Sequence, residues 1–170
     1  MLKYAPGSNP RQQAWSSFVS LSAHLSYVVN AQLRHECGLT HIEFRILGEL
    51  ADQPQHRLGL SMLAFGVDSS RSRLTCRLNA LERRGLIERT LGPSDGRAKE
   101  AVLTAAGREA YEAAAPVYDR LVRALVLDVL SDEDVAEWLR LTRRLLARVV
   151  AREGWTSSDG FRAGHRLRIV

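Results

Sequence analysis

The sequence predicts a mainly α-helical fold that contains one small β-hairpin. The segment 69–99 runs from an Arg-rich helical stretch into a short strand, a turn of Gly, Pro, Ser and Asp, and a second strand. The flanking segments 11–35 and 104–152 carry apolar residues at helical spacing. Together these observations predict a winged helix-turn-helix domain plus N- and C-terminal dimerisation helices, because the flanking helices are more apolar than the central module can cover.

Local signals define the first half of the fold. Gly38 ends the first helix at the usual position of a C-terminal glycine. The segment 40–43, with Thr first and Glu last, is a capping box that starts the second helix. A short helix over about 59–65 and a tight turn follow, and we expect Asp68 or Ser69 to cap the Arg-rich helix that comes next.

The second half consists of the hairpin and two long helices. We expect strands at 86–90 and 99–103, and then a helix that Thr104 caps, that Pro116 bends and that ends near Leu130. A second capping box starts the last helix. The expected boundaries are an N-terminal extension at 1–10, one domain at 11–152 (dimerisation helices 11–35 and 104–152, winged helix-turn-helix 40–103), and a polar basic C-terminal tail at 153–170.

Positive charge is concentrated in the segment 69–99. It holds eight Arg or Lys against three acidic residues, a net charge of +5 that equals the net charge of the whole 170-residue chain. Such a local excess is typical of nucleic-acid-binding proteins. The chain has neither an apolar leader nor a run long enough to span a membrane, so we expect a cytoplasmic protein without a membrane partner. In that compartment Cys37 and Cys76 predict no disulfide.

One face of the Arg-rich helix is suited to a DNA major groove. Leu74, Leu78 and Leu81 fall on one side and predict a buried stripe. The other side presents small, polar and basic residues, which fit a groove about 12 Å wide and can reach base edges or phosphates. At the hairpin tip, Arg97 suits insertion into a narrow minor groove. On the helix, the residues expected to contact DNA are Ser69, Ser70, Arg71, Ser72, Arg73, Thr75, Cys76, Arg77 and Asn79.

The order of these elements and residues resembles the multiple antibiotic resistance regulator (MarR) family of winged helix-turn-helix repressors over roughly residues 10–152. The resemblance is carried by Leu63-Ala64, by Ser-Arg-Ser-Arg-Leu-Thr at 70–75, by Leu78, by Leu-Glu-Arg-Arg-Gly-Leu-Ile at 81–87, by Asp95-Gly96-Arg97, and by Leu-Thr-Ala-Ala-Gly at 103–107. It implies a homodimer that binds a pseudo-palindromic operator in double-stranded DNA. It also implies that Asp95 orients Arg97 by ion pairing, and that a small aromatic effector enters a cleft between the dimerisation helices and the DNA-binding lobe.

Other residues raise alternatives to a ligand-responsive repressor. Trp15, His24, Tyr27, Tyr111 and Tyr118 are the candidate lining of the effector cleft, although aromatic residues at helical spacing also suit a core. Cys37 or Cys76 would serve a redox-responsive regulator. A winged-helix protein that binds other proteins and no longer reads DNA is a further alternative.

A metal site and an enzyme are not predicted. His35, Glu36, Cys37 and His41 lie within seven residues and have zinc-ligand chemistry. The resemblance argues against zinc, however, because zinc-sensing members draw histidines from the helix after the wing, and the segment 104–130 has none. No catalytic set and no phosphate-binding glycine loop occurs in the sequence, so we expect no enzymatic activity, no cofactor and no metal.

Overall fold

The computed structural model describes residues 9–67, 70–91 and 99–152, except for the side chains of Arg71, Val150 and Arg152. Six helices and three strands lie in these ranges, with 3₁₀ turns at Pro54–His56 and Leu127–Val129. In chain order they are α1 (Pro10–Cys37), α2 (His41–Ala51), β1 (Arg57–Gly59), α3 (Leu60–Gly66), α4 (Arg71–Arg83), β2 (Ile87–Leu91), β3 (Lys99–Leu103), α5 (Ala105–Leu125) and α6 (Asp132–Arg152).

The predicted caps of α1 and α2 are confirmed. Gly38 has the left-handed backbone that favours glycine, with φ at 65°, and its N–H is donated to carbonyls of the last turn of α1. The Thr40 hydroxyl accepts from the backbone N–H of Glu43, and the Glu43 carboxylate accepts from the N–H of Thr40 at 2.8 Å. These contacts set the angle at which the second helix leaves the first.

The sheet has one strand more than the sequence predicts. β1 pairs antiparallel with β3, which also pairs with β2, so the strand order is β1-β3-β2. The segment Arg57–Gly59 is too short to show alternation, and it becomes a strand because β3 supplies its hydrogen-bond partners. The hairpin is therefore anchored to the chain that precedes α3.

Two helix boundaries differ from the prediction. The N-cap of α4 is Ser70, without a side-chain cap bond, so the expectation that Asp68 or Ser69 caps this helix is wrong. Those two residues lie outside the described ranges. Helix α5 ends at Leu125 rather than near Leu130, and Pro116 lies within it.

The core lies where α1, α2, α3, α4 and the sheet meet. Its fully buried side chains include Leu33, Leu47, Leu63, Leu78 and Ile87. Large apolar side chains on the N-terminal half of α1 and along α6 remain exposed instead. Among the described helices, none is long and apolar enough to span a membrane.

Candidate nucleic-acid interface

Helix α4 has the two faces that its sequence predicts. Leu74, Leu78 and Leu81 are buried, and their side chains hold the helix on the core. The opposite face is open: the exposed candidates are Ser70, Ser72, Arg73, Thr75, Cys76, Arg77 and Asn79. The structure thus brings seven of the nine candidate residues of this helix onto one accessible surface. Of the other two, Ser69 and the side chain of Arg71 are not among the described parts of the chain.

Arg45 of α2 braces the segment that leads into α4. Its guanidinium donates hydrogen bonds to the backbone carbonyls of Gly66, at 2.8 Å, and Val67, at 3.4 Å. These carbonyls belong to the turn of the helix-turn-helix, so the contact fixes where the recognition helix begins. The sequence alone does not single out Arg45, whose one local signal is a charge between Phe44 and Ile46, both of which are buried.

Two of the basic residues near the end of α4 are paired with acids. Arg89 of β2 donates through Nε, at 3.0 Å, and through Nη2 to one carboxylate oxygen of Glu82. That hydrogen bonding lowers the pKa of the Glu82 carboxyl. Arg84 lies 3.7 Å from the buried carboxylate of Glu43. A count of charges in the sequence cannot separate these paired cations from free ones.

Arg73, Arg77 and Arg83 differ from the paired residues. All three are exposed on α4, and within the described ranges no ion pair involves them. A free guanidinium on an open helix face can exchange its water for phosphate oxygens or guanine edges at low cost. The three form the unpaired cationic surface of the recognition helix.

The residues before β2 are hydrogen-bonded to the start of α5. Thr104 donates its hydroxyl to the carbonyl of Gly85 at 2.7 Å and its backbone N–H to that of Leu86 at 3.2 Å. Gly107 lies against the same Leu86 carbonyl, so closely that a Cβ atom there would stand 1.9 Å from the oxygen. The predictions for Asp95 and Arg97 concern the segment 92–98, which lies outside the described residues.

The candidate effector residues fall into two groups. Tyr111 and Tyr118 of α5 stack on Phe44 of α2, with ring centroids 5.2 Å and 4.8 Å away. Burial raises the pKa of both phenols. His24 and the exposed rings of Trp15 and Tyr27 lie on α1 outside this stack. Within one protomer the structure therefore does not assemble a single five-residue cleft.

The cluster at the end of α1 does not form a metal site in the described part of the chain. No group of three His, Cys, Asp or Glu residues there is placed to hold a metal ion. His41 turns instead toward the ring of Tyr118, and burial lowers its pKa. Burial also raises the pKa of the Cys37 thiol, which is the opposite of what an activated redox cysteine requires. Cys76 is exposed.

Helices α3 and α4 form a helix-turn-helix whose second helix, α4, is exposed and carries cations, and the antiparallel strands β2 and β3 follow it. This arrangement defines a winged helix-turn-helix DNA-binding protein. Residues 38–98 match the family model described as MarR family. The chain is similar to transcriptional regulators of the MarR family.

Individual relatives show how far this similarity extends. AbsC, a MarR family transcriptional regulator from Streptomyces coelicolor, has a TM-score of 0.79 and 27% identity over 87% of this chain and 99% of its own. Sco3205 from the same organism, solved in complex with DNA, has a TM-score of 0.78 and 29% identity over 88% and 93%. Transcriptional regulator HosA of Escherichia coli O111:H- is 29% identical over 119 residues, which is 68% of this chain and 84% of HosA. These relatives are regulators rather than enzymes.

Proposed function

We propose that this protein is a homodimeric repressor that binds a pseudo-palindromic operator and releases it when a small aromatic effector binds. The observation that carries the DNA-binding part is the open face of α4. There, Arg73, Arg77 and Asn79 are exposed opposite three buried leucines. Arginine and asparagine are the side chains that pair bidentately with guanine and adenine in the major groove. The same face thus provides both charge and base recognition.

The exposed apolar surfaces support a second copy of this chain as the partner. Trp15 and Phe18 on α1 are 57% and 53% exposed, and Leu145 and Val149 on α6 are 60% and 59% exposed. A soluble monomer rarely leaves such large contiguous apolar surfaces in water. Two-fold pairing of α1 and α6 with their copies would cover both surfaces at once. It would also present two recognition helices to half-sites about one helical turn apart.

The effector part of the proposal rests on how α2 is connected. One side of α2 carries Phe44, which stacks on Tyr111 and Tyr118 of α5. The next residue, Arg45, holds the turn before α4. An aromatic compound that inserts beside these rings changes the packing of α2 on α5 and with it the position of α4. Such coupling is typically worth about 1–3 kcal/mol, and it acts equally in both directions.

Fluorescence anisotropy with duplex DNA from the chain's own promoter region tests the proposal. We expect saturable binding that unlabelled promoter DNA competes away much better than shuffled DNA of the same composition. Arg77→Ala is expected to weaken binding, whereas the matched variant Arg143→Ala, an exposed arginine on α6, is expected to bind normally.

The outcome that contradicts the proposal is equal competition by both DNAs, with Arg77→Ala indistinguishable from wild type. A folded protein with this behaviour would be a winged-helix module for protein partners. A panel of phenolic and aromatic carboxylic compounds, added to the preformed complex, tests the effector part separately. If no compound lowers the anisotropy or raises the melting temperature, the repressor is not controlled by this class of ligand.

A further inference from the structure

A cleft lies between the exposed face of α4 and β2. It is lined by Cys76, Asn79, Glu82, Arg83 and Arg89. A recognition helix in the major groove and a wing in the neighbouring minor groove stand on opposite sides of a single sugar–phosphate backbone. The position of β2 relative to α4 therefore decides whether both elements can reach their grooves at once.

The one ion pair that spans this cleft joins Glu82 to Arg89 among the described residues. Arg89 uses Nε and Nη2 on the same carboxylate oxygen, and both side chains are about one-third exposed. The pair carries no net charge. A neutral pair releases few counterions when DNA binds, whereas the unpaired Arg83 beside it can neutralise a phosphate.

Arg89 also lies at a point of β2 that is held against the core. It pairs with Ala101 in the β2–β3 ladder, and Ala101 is fully buried. The register of the hairpin is thus fixed at the same point where the hairpin is tied to α4. Movement of Glu82 relative to Arg89 would swing the strands that lead to residues 92–98 and change the distance between the two DNA-contacting elements.

We propose that Glu82 and Arg89 are positioning residues that set the spacing of recognition helix and wing across the DNA backbone, while Arg83 is the phosphate contact in the same cleft. This inference rests on the proposed DNA-binding function. It assigns different roles to two arginines that line the same cleft and that a charge count treats as equal. It also predicts that removing Arg83 and removing the Glu82–Arg89 pair change the salt dependence of DNA affinity differently.

The experiment compares a neutral double variant, Glu82→Gln with Arg89→Gln, against the matched single variant Arg83→Gln. Operator affinity is measured between low and moderate salt, and the slope of log affinity against log salt falls by about 0.9 for each phosphate that the protein no longer neutralises. We expect Arg83→Gln to lower the slope by about that amount. The double variant is expected to lose about tenfold in operator affinity with an unchanged slope.

Footprinting distinguishes a displaced wing from a general loss of stability, because only a displaced wing removes protection at selected positions. In the double variant we expect the minor-groove protection at the flanks of each half-site to disappear from the hydroxyl-radical footprint. Protection of guanine N7 in the major groove is expected to persist. Arg89→Lys keeps the charge, and one of the two hydrogen bonds with Glu82, and is expected to show partial flank protection. This single variant also tests the inference if the double variant does not fold.

Three results separate the possible failures. A double variant whose slope falls by about 0.9 would show that Arg89 itself contacts phosphate, which overturns the inference. Wild-type affinity and footprint in the double variant would show that the pair positions nothing, and wild-type flank protection in Arg89→Lys would do the same. A wild-type protein that gives no operator footprint would instead refute the proposed function.

Discussion

Gly107 in the first turn of α5 is a position where a single methyl group is expected to disrupt the fold. A Cβ atom built there lies 1.9 Å from the carbonyl oxygen of Leu86, 2.9 Å from its carbonyl carbon and 2.8 Å from Cδ1 of Leu103. Real Cβ atoms do not approach closer than 3.0 Å, so Gly107→Ala has to separate α5 from this backbone by at least 1.1 Å. The same displacement strains the hydrogen bond from Thr104 N to the Leu86 carbonyl.

The effect of Gly107→Ala on the free energy of unfolding is the difference between a gain in helix propensity and a cost in strain. Alanine in place of glycine favours the helix by about 1 kcal/mol. Overpacking against a backbone that cannot rotate away costs about 3 kcal/mol or more, the upper end for buried sites. We therefore expect a net loss of about 2 kcal/mol in the free energy of unfolding and a fall of about 4–8 °C in melting temperature.

Thermal unfolding followed by circular dichroism measures this change at one fixed protein concentration. The control is Gly59→Ala, because a Cβ atom at Gly59 meets no heavy atom within 4 Å. We expect this control to cost less than about 1 kcal/mol, mainly as a weaker N-cap for α3. A Gly107→Ala protein that melts within experimental error of wild type would show that α5 leaves Leu86 without cost, and the strain argument would be wrong.

Four other changes have expected outcomes. Arg45→Gln removes the donors to two carbonyls before α4, so we expect a loss of about 1–2 kcal/mol in urea unfolding, and an unchanged midpoint would contradict the bracing role. At pH 8, iodoacetamide is expected to label Cys76 faster than Cys37, because burial raises the pKa of the Cys37 thiol and keeps it protonated; equal rates by mass spectrometry would argue against this. Arg73→Ala is expected to relax preference at one base position per half-site, by about 1–3 kcal/mol in a base-substitution scan, whereas uniform weakening would make it a phosphate contact. Leu145→Glu places a charge in the exposed apolar face of α6, and we expect a monomer in sedimentation equilibrium; a persistent dimer would exclude this face from the interface.

The sequence by itself determined the elements whose signals are local. The leucine period of α4 places Leu74, Leu78 and Leu81 in the core and leaves the polar arc outside. The capping box at 40–43 and the glycine after α1 define helix ends within a few residues, because each uses only its own neighbours. The strand at 99–103 has the predicted bounds, since β-branched and apolar residues follow a turn-rich segment.

Only the tertiary structure decided which residues meet across long separations. Arg57–Gly59 is a strand because β3, about 40 residues later, pairs with it, and no local pattern encodes that partner. Tyr111 and Tyr118 join Phe44, whereas Trp15 and Tyr27 remain exposed, although all four rings are candidates for the same cleft in the sequence.

The arginines of α4 and β2 also show what the sequence determines and what only the tertiary structure decides. The sequence counts Arg83 and Arg89 as equal positive charges, and the electrostatic attraction to DNA depends on their sum. Folding brings Glu82 to Arg89 across the gap between helix and strand and leaves Arg83 exposed and outside the ion pairs of the described residues. Charge is a property of composition, but whether a charge is available to phosphate depends on the distance to its neighbours, and that distance is set by the packing of α4 against β2.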